Sequence, residues 1–184
     1  MVDLHMTEPN ASLFYEGSDL EAMAAARNYT RWVYEEAFQL SLQGRVCEVG
    51  AGSGTLTELI LDTSGVTSLS LCEPSPNLSA YLAERFANDE RVTLYPSTLQ
   101  TAAAQMPLPL NTIIYNNVLE HIEDDLAELE LATACLRDGG EILILVARCR
   151  FYSATSMPAL VIFEDTLAHH LAPCWSRRDW KRYA

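Results

Sequence analysis

The chain is short of several features, and each shortage excludes something. No apolar run approaches the ~20 residues that a membrane-spanning helix needs. The amino terminus, with Asp3 and Glu8, lacks the basic-then-apolar layout of a secretory signal, so a cytoplasmic location is the expectation. None of the five cysteines (Cys47, Cys72, Cys135, Cys149, Cys174) belongs to a Cys-x-x-Cys pair, and the histidines show no paired ligand spacing. Neither a bound metal nor a disulfide framework is indicated. Basic side chains are scarce, 12 against 25 acidic ones, for a formal net charge of -13. A surface of that sign repels a phosphate backbone, which makes nucleic acid a poor partner. Repeats, low-complexity segments and linkers are missing too, and 184 residues with 49% apolar content suit one domain of ordinary size.

What is present has an order. From Leu20 to Leu42 the apolar positions Met23, Trp32, Val33, Ala37, Phe38 and Leu40 are spaced for one face of a covering helix or helix pair. Arg45 to Val49 then reads as a short strand running into glycines, and Thr55 to Leu61 resumes a helical pattern. Val66 to Cys72 is a second strand, Asn77 to Phe86 a second helix, Arg91 to Tyr95 a third strand and Asn111 to Asn116 a fourth. Asp124 to Leu136 is a helix with acids at its start, where the helix dipole favours them. Arg137-Asp138-Gly139-Gly140 closes it, and Glu141 to Val146 is a fifth strand. Repeated β-then-α units predict an α/β fold with a parallel, doubly wound sheet.

The first strand ends in Glu48-Val49-Gly50-Ala51-Gly52-Ser53-Gly54. A glycine-rich turn between strand and helix lets the backbone approach a ligand and presents free amides at the helix start. The spacing is G-x-G-x-G, and the small residue that a dinucleotide fingerprint wants next is replaced by Thr55, which disfavours an NAD-dependent oxidoreductase. A tight turn with no ligand is the plain alternative. Glu73 ends the second strand about 20 residues beyond the loop, where an acid can accept from both ribose hydroxyls; otherwise it is a surface glutamate before Pro74. Glu48 can orient an ammonium group above it, or simply stabilise the loop.

Together these residues carry a resemblance. The stretches from Cys47 to Gly54, Cys72-Glu73-Pro74-Ser75, Asn116-Asn117-Val118-Leu119-Glu120-His121-Ile122-Glu123-Asp124-Asp125 and Leu136 to Gly140 resemble the successive motifs of class I methyltransferases of the type 11/12 group, over residues 28–146. The resemblance implies a Rossmann-like fold, S-adenosylmethionine as cofactor, and methyl transfer to a small-molecule, lipid-linked or saccharide acceptor. It implies cofactor contacts at Glu48, Gly50, Ala51, Gly52, Gly54, Glu73 and Pro74, at Asn116, Asn117 and Val118 beside the methionine end, and at Ser97, Thr98 and Leu99 near adenine. Relatives carry an acid in that last segment, which this chain lacks. Tyr29, in Asn28-Tyr29-Thr30-Arg31-Trp32, is placed by the same resemblance where a tyrosine reaches the cofactor, while Trp32 reads as core. His121 is a candidate general base by its near-neutral pKa, with a helix-start cap or packing role as the alternative.

The last 38 residues differ in kind. Residues 1–146 hold 22 acidic and 6 basic side chains, residues 147–184 hold 3 and 6, and Trp175 and Trp180 both lie in the tail. Back-translated and read in a shifted frame, the tail permits P-L-P-F-L-F-G-D-L-D-A-R-V-G-H-F-R-R-Y, the segment that the resemblance leads one to expect after the fifth strand. A frameshift near Val146 is therefore the expectation, with a division into a cofactor domain, 1–146, and an atypical tail, 147–184. The two further strands of the class should then be missing and the sheet edge bare, with an inactive remnant that at most binds cofactor as the alternative to an active methyltransferase; a genuinely divergent tail is the alternative to the frameshift.

Overall fold

The computed structural model describes residues 27–146 and 159–164. Six strands form one sheet: β1 (Gly44–Val49), β2 (Val66–Cys72), β3 (Val92–Tyr95), β4 (Leu110–Asn116), β5 (Leu136–Val146) and β6 (Ala159–Glu164), in the order β3-β2-β1-β4-β5-β6. The first five are parallel, and β6 is antiparallel to β5. Helices α1 (Arg27–Val33), α2 (Thr55–Leu61), α3 (Pro76–Arg85), α4 (Leu99–Ala102) and α5 (Asp125–Cys135) connect or cover the strands. The α/β, doubly wound reading from sequence holds, with strand bounds within a residue or so for β1 to β4.

Strand alternation sorts the core onto two faces. Val46, Leu69, Leu71, Ile114 and Leu143 pack with Val33 and Phe38 around α1 and with Leu56, Ile60 and Leu82 from α2 and α3. Cys47, Val49, Ile113, Tyr115 and Ile144 pack on the other side with Leu99, Ala102, Ala132 and Cys135 from α4 and α5. The strands are apolar nearly throughout because both faces are covered.

Three expectations need correction. The covering helix is not one amphipathic stripe: after Val33 it widens into a π turn, Tyr34–Phe38, and tightens into a 3-10 turn, Gln39–Ser41. The change of pitch rotates the pattern, so Tyr34 and Phe38 are buried while Leu40 is 99% exposed. Trp32, read as core, is 46% exposed and rests against Tyr29 with ring centroids 6.1 Å apart. Residues 20–26 of that expected helix lie outside the described residues.

The third correction is at the sheet edge. Of the two strands expected to be missing, one is there: β6 pairs with β5 from Glu141↔Glu164 to Val146↔Ala159 and covers its edge. Leu160-Val161-Ile162-Phe163 is a run of strong strand formers, dense enough in β-branched and aromatic residues to fill an unpaired edge. β5 itself starts at Leu136, which pairs with Leu110; residues 137–140, with Gly139 at φ +67°, then bulge out of register before pairing with β4 resumes at Glu141 opposite Thr112. No helix among the described residues is long and apolar enough to cross a membrane.

Candidate functional site

The strand order reverses between β1 and β4: the chain steps outward from β1 to β3, then returns to the other side of β1. Loops leaving the carboxyl ends of β1 and β4 must therefore diverge to opposite faces and open a crevice, the usual ligand position in such sheets. Here the two loops touch. A side-chain carbon placed on Gly50 would come within 2.5 Å of Val118 Cγ2.

Gly50, Gly52 and Gly54 have φ of +71°, +57° and +74°, left-handed values that side chains resist. The loop is tied down from β2: the amides of Gly50 and Ala51 donate to the Cys72 carbonyl at 2.7 and 3.4 Å. Glu73 Oε2 accepts from the Gly52 amide and Oε1 from the Ser75 amide, both at 2.9 Å. The carboxylate is thus buried and clamps the loop to the Pro74–Ser75 turn. On the helix side, Arg85 of α3 bonds the Ser53 carbonyl and pairs with Glu58.

Glu48 is placed differently. It sits in β1 with 2% exposure, on the face of Val46, and accepts from Thr57 Oγ1 at 2.6 Å. Burial, and secondarily the nearby Glu73 carboxylate, outweigh the Thr57 hydrogen bond, so its pKa is pushed up to about 8. At neutral pH the carboxyl therefore holds its proton. Thr57 went unnoticed in the sequence; the available signal was a hydroxyl residue at the third helical position, where an apolar one would face the strand.

On the β4 side, Asn116 ends the strand and Asn117 follows with φ +55°, a backbone state asparagine tolerates better than most residues. Its amide donates to the Leu145 carbonyl at 2.7 Å. Its Oδ1 is buried with no hydrogen-bond partner. Such an acceptor is costly to leave unpaired, about 1–3 kcal/mol, and it lies one residue from Val118, which touches Gly50.

The remaining predicted residues scatter. Ala51 is buried against the α2 face. Ser97 is half-buried and Thr98 exposed, just before α4, but Leu99 puts its side chain fully into the core, so only its backbone is left for a ligand. Tyr29 is half-buried on α1, its hydroxyl pKa raised by burial. His121 is exposed at the end of a 3-10 turn, Leu119–His121, and the cap of α5 is Asp124, whose Oδ1 accepts from the Ala127 amide at 3.1 Å. That removes the capping and packing alternatives for His121. A cavity of about 210 Å³ lined by Arg31, Ser53, Thr55, Glu58, Tyr81 and Arg85 lies on the outer, α2–α3 side of the loop and takes in none of the predicted residues.

A family model described as a methyltransferase domain matches residues 15–184, across the boundary expected at Val146. No curated protein matches the sequence. Among solved structures, a mitomycin 7-O-methyltransferase superposes with a TM-score of 0.59 at 17% identity, over 74% of this chain and 41% of its own. A mycolic acid cyclopropane synthase in complex with SAH and CTAB gives 0.53 at 19% identity, over 72% and 46%. An rRNA methylase from Streptococcus thermophilus gives 0.55 at 14% identity, over 74% and 93%. The chain thus spans less than half the length of the first two. Identities this low speak to fold alone, and the family match supplies the rest: the chain belongs to the methyltransferase domain family and has the class I S-adenosylmethionine-dependent methyltransferase fold.

Proposed function

We propose that the chain binds S-adenosylmethionine in the crevice between the β1 and β4 loops and transfers its methyl group to a small-molecule, lipid-linked or saccharide acceptor. The observation that carries this is the glycine loop at the topological switch, with Gly50, Gly52 and Gly54 all at positive φ and Gly50 so close to Val118 of the β4 loop that no side chain fits between them. The residues present fit the cofactor. Its charge is positive at the sulfonium and the ammonium, and the crevice supplies Glu48, Glu73 and the unpaired Asn117 Oδ1 to receive charge and N–H donors.

Bound there, the cofactor would supply an electrophilic methyl carbon. The chain's own work is positioning. Glu73 fixes the loop through the Gly52 and Ser75 amides, with lone pairs left over for ribose hydroxyls. Asn117 Oδ1 gains a donor, Glu48 meets the positive charge from below, and Ser97 and Thr98 stand beside the next strand for the base. Holding an acceptor in line with the methyl carbon is worth several orders of magnitude in rate without any covalent step. His121, exposed and three residues beyond Val118, is the candidate to take a proton from that acceptor. The net charge of -13 works against RNA as that acceptor.

Calorimetric titration with S-adenosylhomocysteine tests the reading: one site per chain is expected, and heat from NADH with none from S-adenosylhomocysteine would sink it. A second reading, a domain that binds cofactor but no longer catalyses, rests on the change in charge at Val146 and the shifted-frame motif. The pairing of β6 with β5 and the family match through residue 184 speak for a tail that belongs to the domain. Sequencing the gene across codon 146 separates the two.

A further inference from the structure

Glu48 and Thr57 are an anomaly in their surroundings. Both are buried, at 2% and 0% exposure, on the sheet face filled by Val46, Leu56, Ile60 and Leu71. They come from different elements, nine residues apart, and meet at 2.6 Å. A pair of apolar side chains would pack this position with no desolvation penalty, so fold stability does not account for it. Their place does: Glu48 is two residues before Gly50, and Thr57 lies in the first turn of the helix that follows Gly54.

We propose that Thr57 is a positioning residue for Glu48: its hydroxyl holds the carboxyl beneath the glycine loop and so governs how readily the site accepts the positive charge of its cofactor. The inference rests on the cofactor reading above for the word cofactor, and on geometry for the rest. The hydrogen bond from Thr57 fixes Oε2 and with it the plane of the carboxyl. The hydroxyl also stabilises the ionised carboxylate, against burial and against Glu73. The other groups around Glu48 carry little charge: β2 opposes it with Leu71 and β4 with Ile114, Cys47 on its own strand is a thiol whose pKa is raised by its contact with Cys72 and by burial, and Arg31 of α1 pairs with Glu35 of the π turn on the exposed side.

The test titrates the full chain with its glutamate carboxyls labelled with carbon-13, using Glu48→Gln to assign the Glu48 signal. The Glu48 midpoint is expected about one pH unit higher in Thr57→Val than in the wild type and back near the wild-type value in Thr57→Ser, the size of a typical buried hydrogen bond. Thr57→Ala removes the same hydroxyl should the valine variant not fold. S-adenosylmethionine titrated calorimetrically across the same range should show the rise of affinity with pH displaced in the same direction. An unchanged midpoint in Thr57→Val, or a serine variant that fails to restore it, overturns the proposal, as does an affinity loss of equal size at every pH. If the midpoint follows the hydroxyl but no cofactor binds even the wild type, Thr57 positions Glu48 and the cofactor reading is what falls.

Discussion

Glu48 and Glu73 stand at the ends of neighbouring strands on either side of one loop, and the chain treats them in opposite ways. Glu73 is given two backbone amides, one from the loop and one from the turn that begins α3. Glu48 is given a single hydroxyl and an apolar wall, and holds its proton up to about pH 8. The difference separates two tasks that a sequence motif merges. One acid fixes the shape of the loop through two amides, whereas the other is buried with its proton and, on the reading proposed above, takes up charge only when a cation can offset the burial.

The test with the largest expected effect leaves both acids alone and moves the loop they share. Gly50→Val puts a branched side chain at φ +71° and 2.5 Å from Val118. Strain of this kind costs on the order of 1–3 kcal/mol, and forcing Val118 away opens the β1–β4 contact. Binding of S-adenosylhomocysteine should fall by about 100-fold or more, and thermal melting should drop with it. Retained affinity would detach the loop from the site altogether.

Next in size is Glu73→Ala. Two amides lose a charged acceptor worth about 1.5–3 kcal/mol each when intact, so affinity should fall roughly 10- to 100-fold. Gly52 and Ser75 amides should exchange with deuterium faster than in the wild type. Loss of binding without faster exchange at those two amides would mean that Glu73 acts on the ligand alone and not on the loop.

Both of these residues were legible in the sequence, and the reason is local. Glycine spacing and an acid at a strand end are short-range signals, tied to backbone shapes that few residues allow. The parallel strands were equally plain, since burial on both faces makes them near-continuous apolar runs. What escaped depends on contacts across the fold. Thr57 reads as an ordinary helix-start threonine until β1 is laid beneath it, Trp32 reads as core until packing turns Thr30 and Val33 of α1 inward in its place, and β6 is invisible without β5 to pair with. The orphaned Asn117 oxygen belongs to the same group, because only packing decides whether an amide in a loop is wet or dry.

A subtler effect, one of sign, distinguishes the acids by pH. The folded-state pKa of Glu48 lies above its ordinary value of 4.5, so the native chain holds a proton that the unfolded chain releases. The resulting stability is complete below about pH 4.5 and is lost as pH rises through about 8. The melting temperature of the ligand-free protein should therefore slope downward over that interval, and Glu48→Gln, which imitates the protonated carboxyl, should flatten the slope. Saturating S-adenosylmethionine should also flatten it, by drawing the proton off into solution while supplying the compensating charge.

The smallest expected effect comes from the other face of the sheet, where Tyr115 donates to Glu128 Oε1 at 3.0 Å, linking β4 to α5. This is also a buried hydroxyl on a carboxyl whose pKa burial raises, so it imitates the Glu48–Thr57 pair in chemistry while facing the core cluster of Cys47, Ile113 and Cys135. Tyr115→Phe keeps the ring and removes one hydrogen bond, for a loss of about 1 kcal/mol in urea unfolding. The affinity for S-adenosylhomocysteine should stay within a factor of about 3 and its pH profile should not move. A displaced profile would mean that the β4 loop, one residue beyond the end of the strand that Tyr115 anchors, transmits strain from that face to the crevice, and that the two acids beside the glycine loop are not the only groups setting its charge.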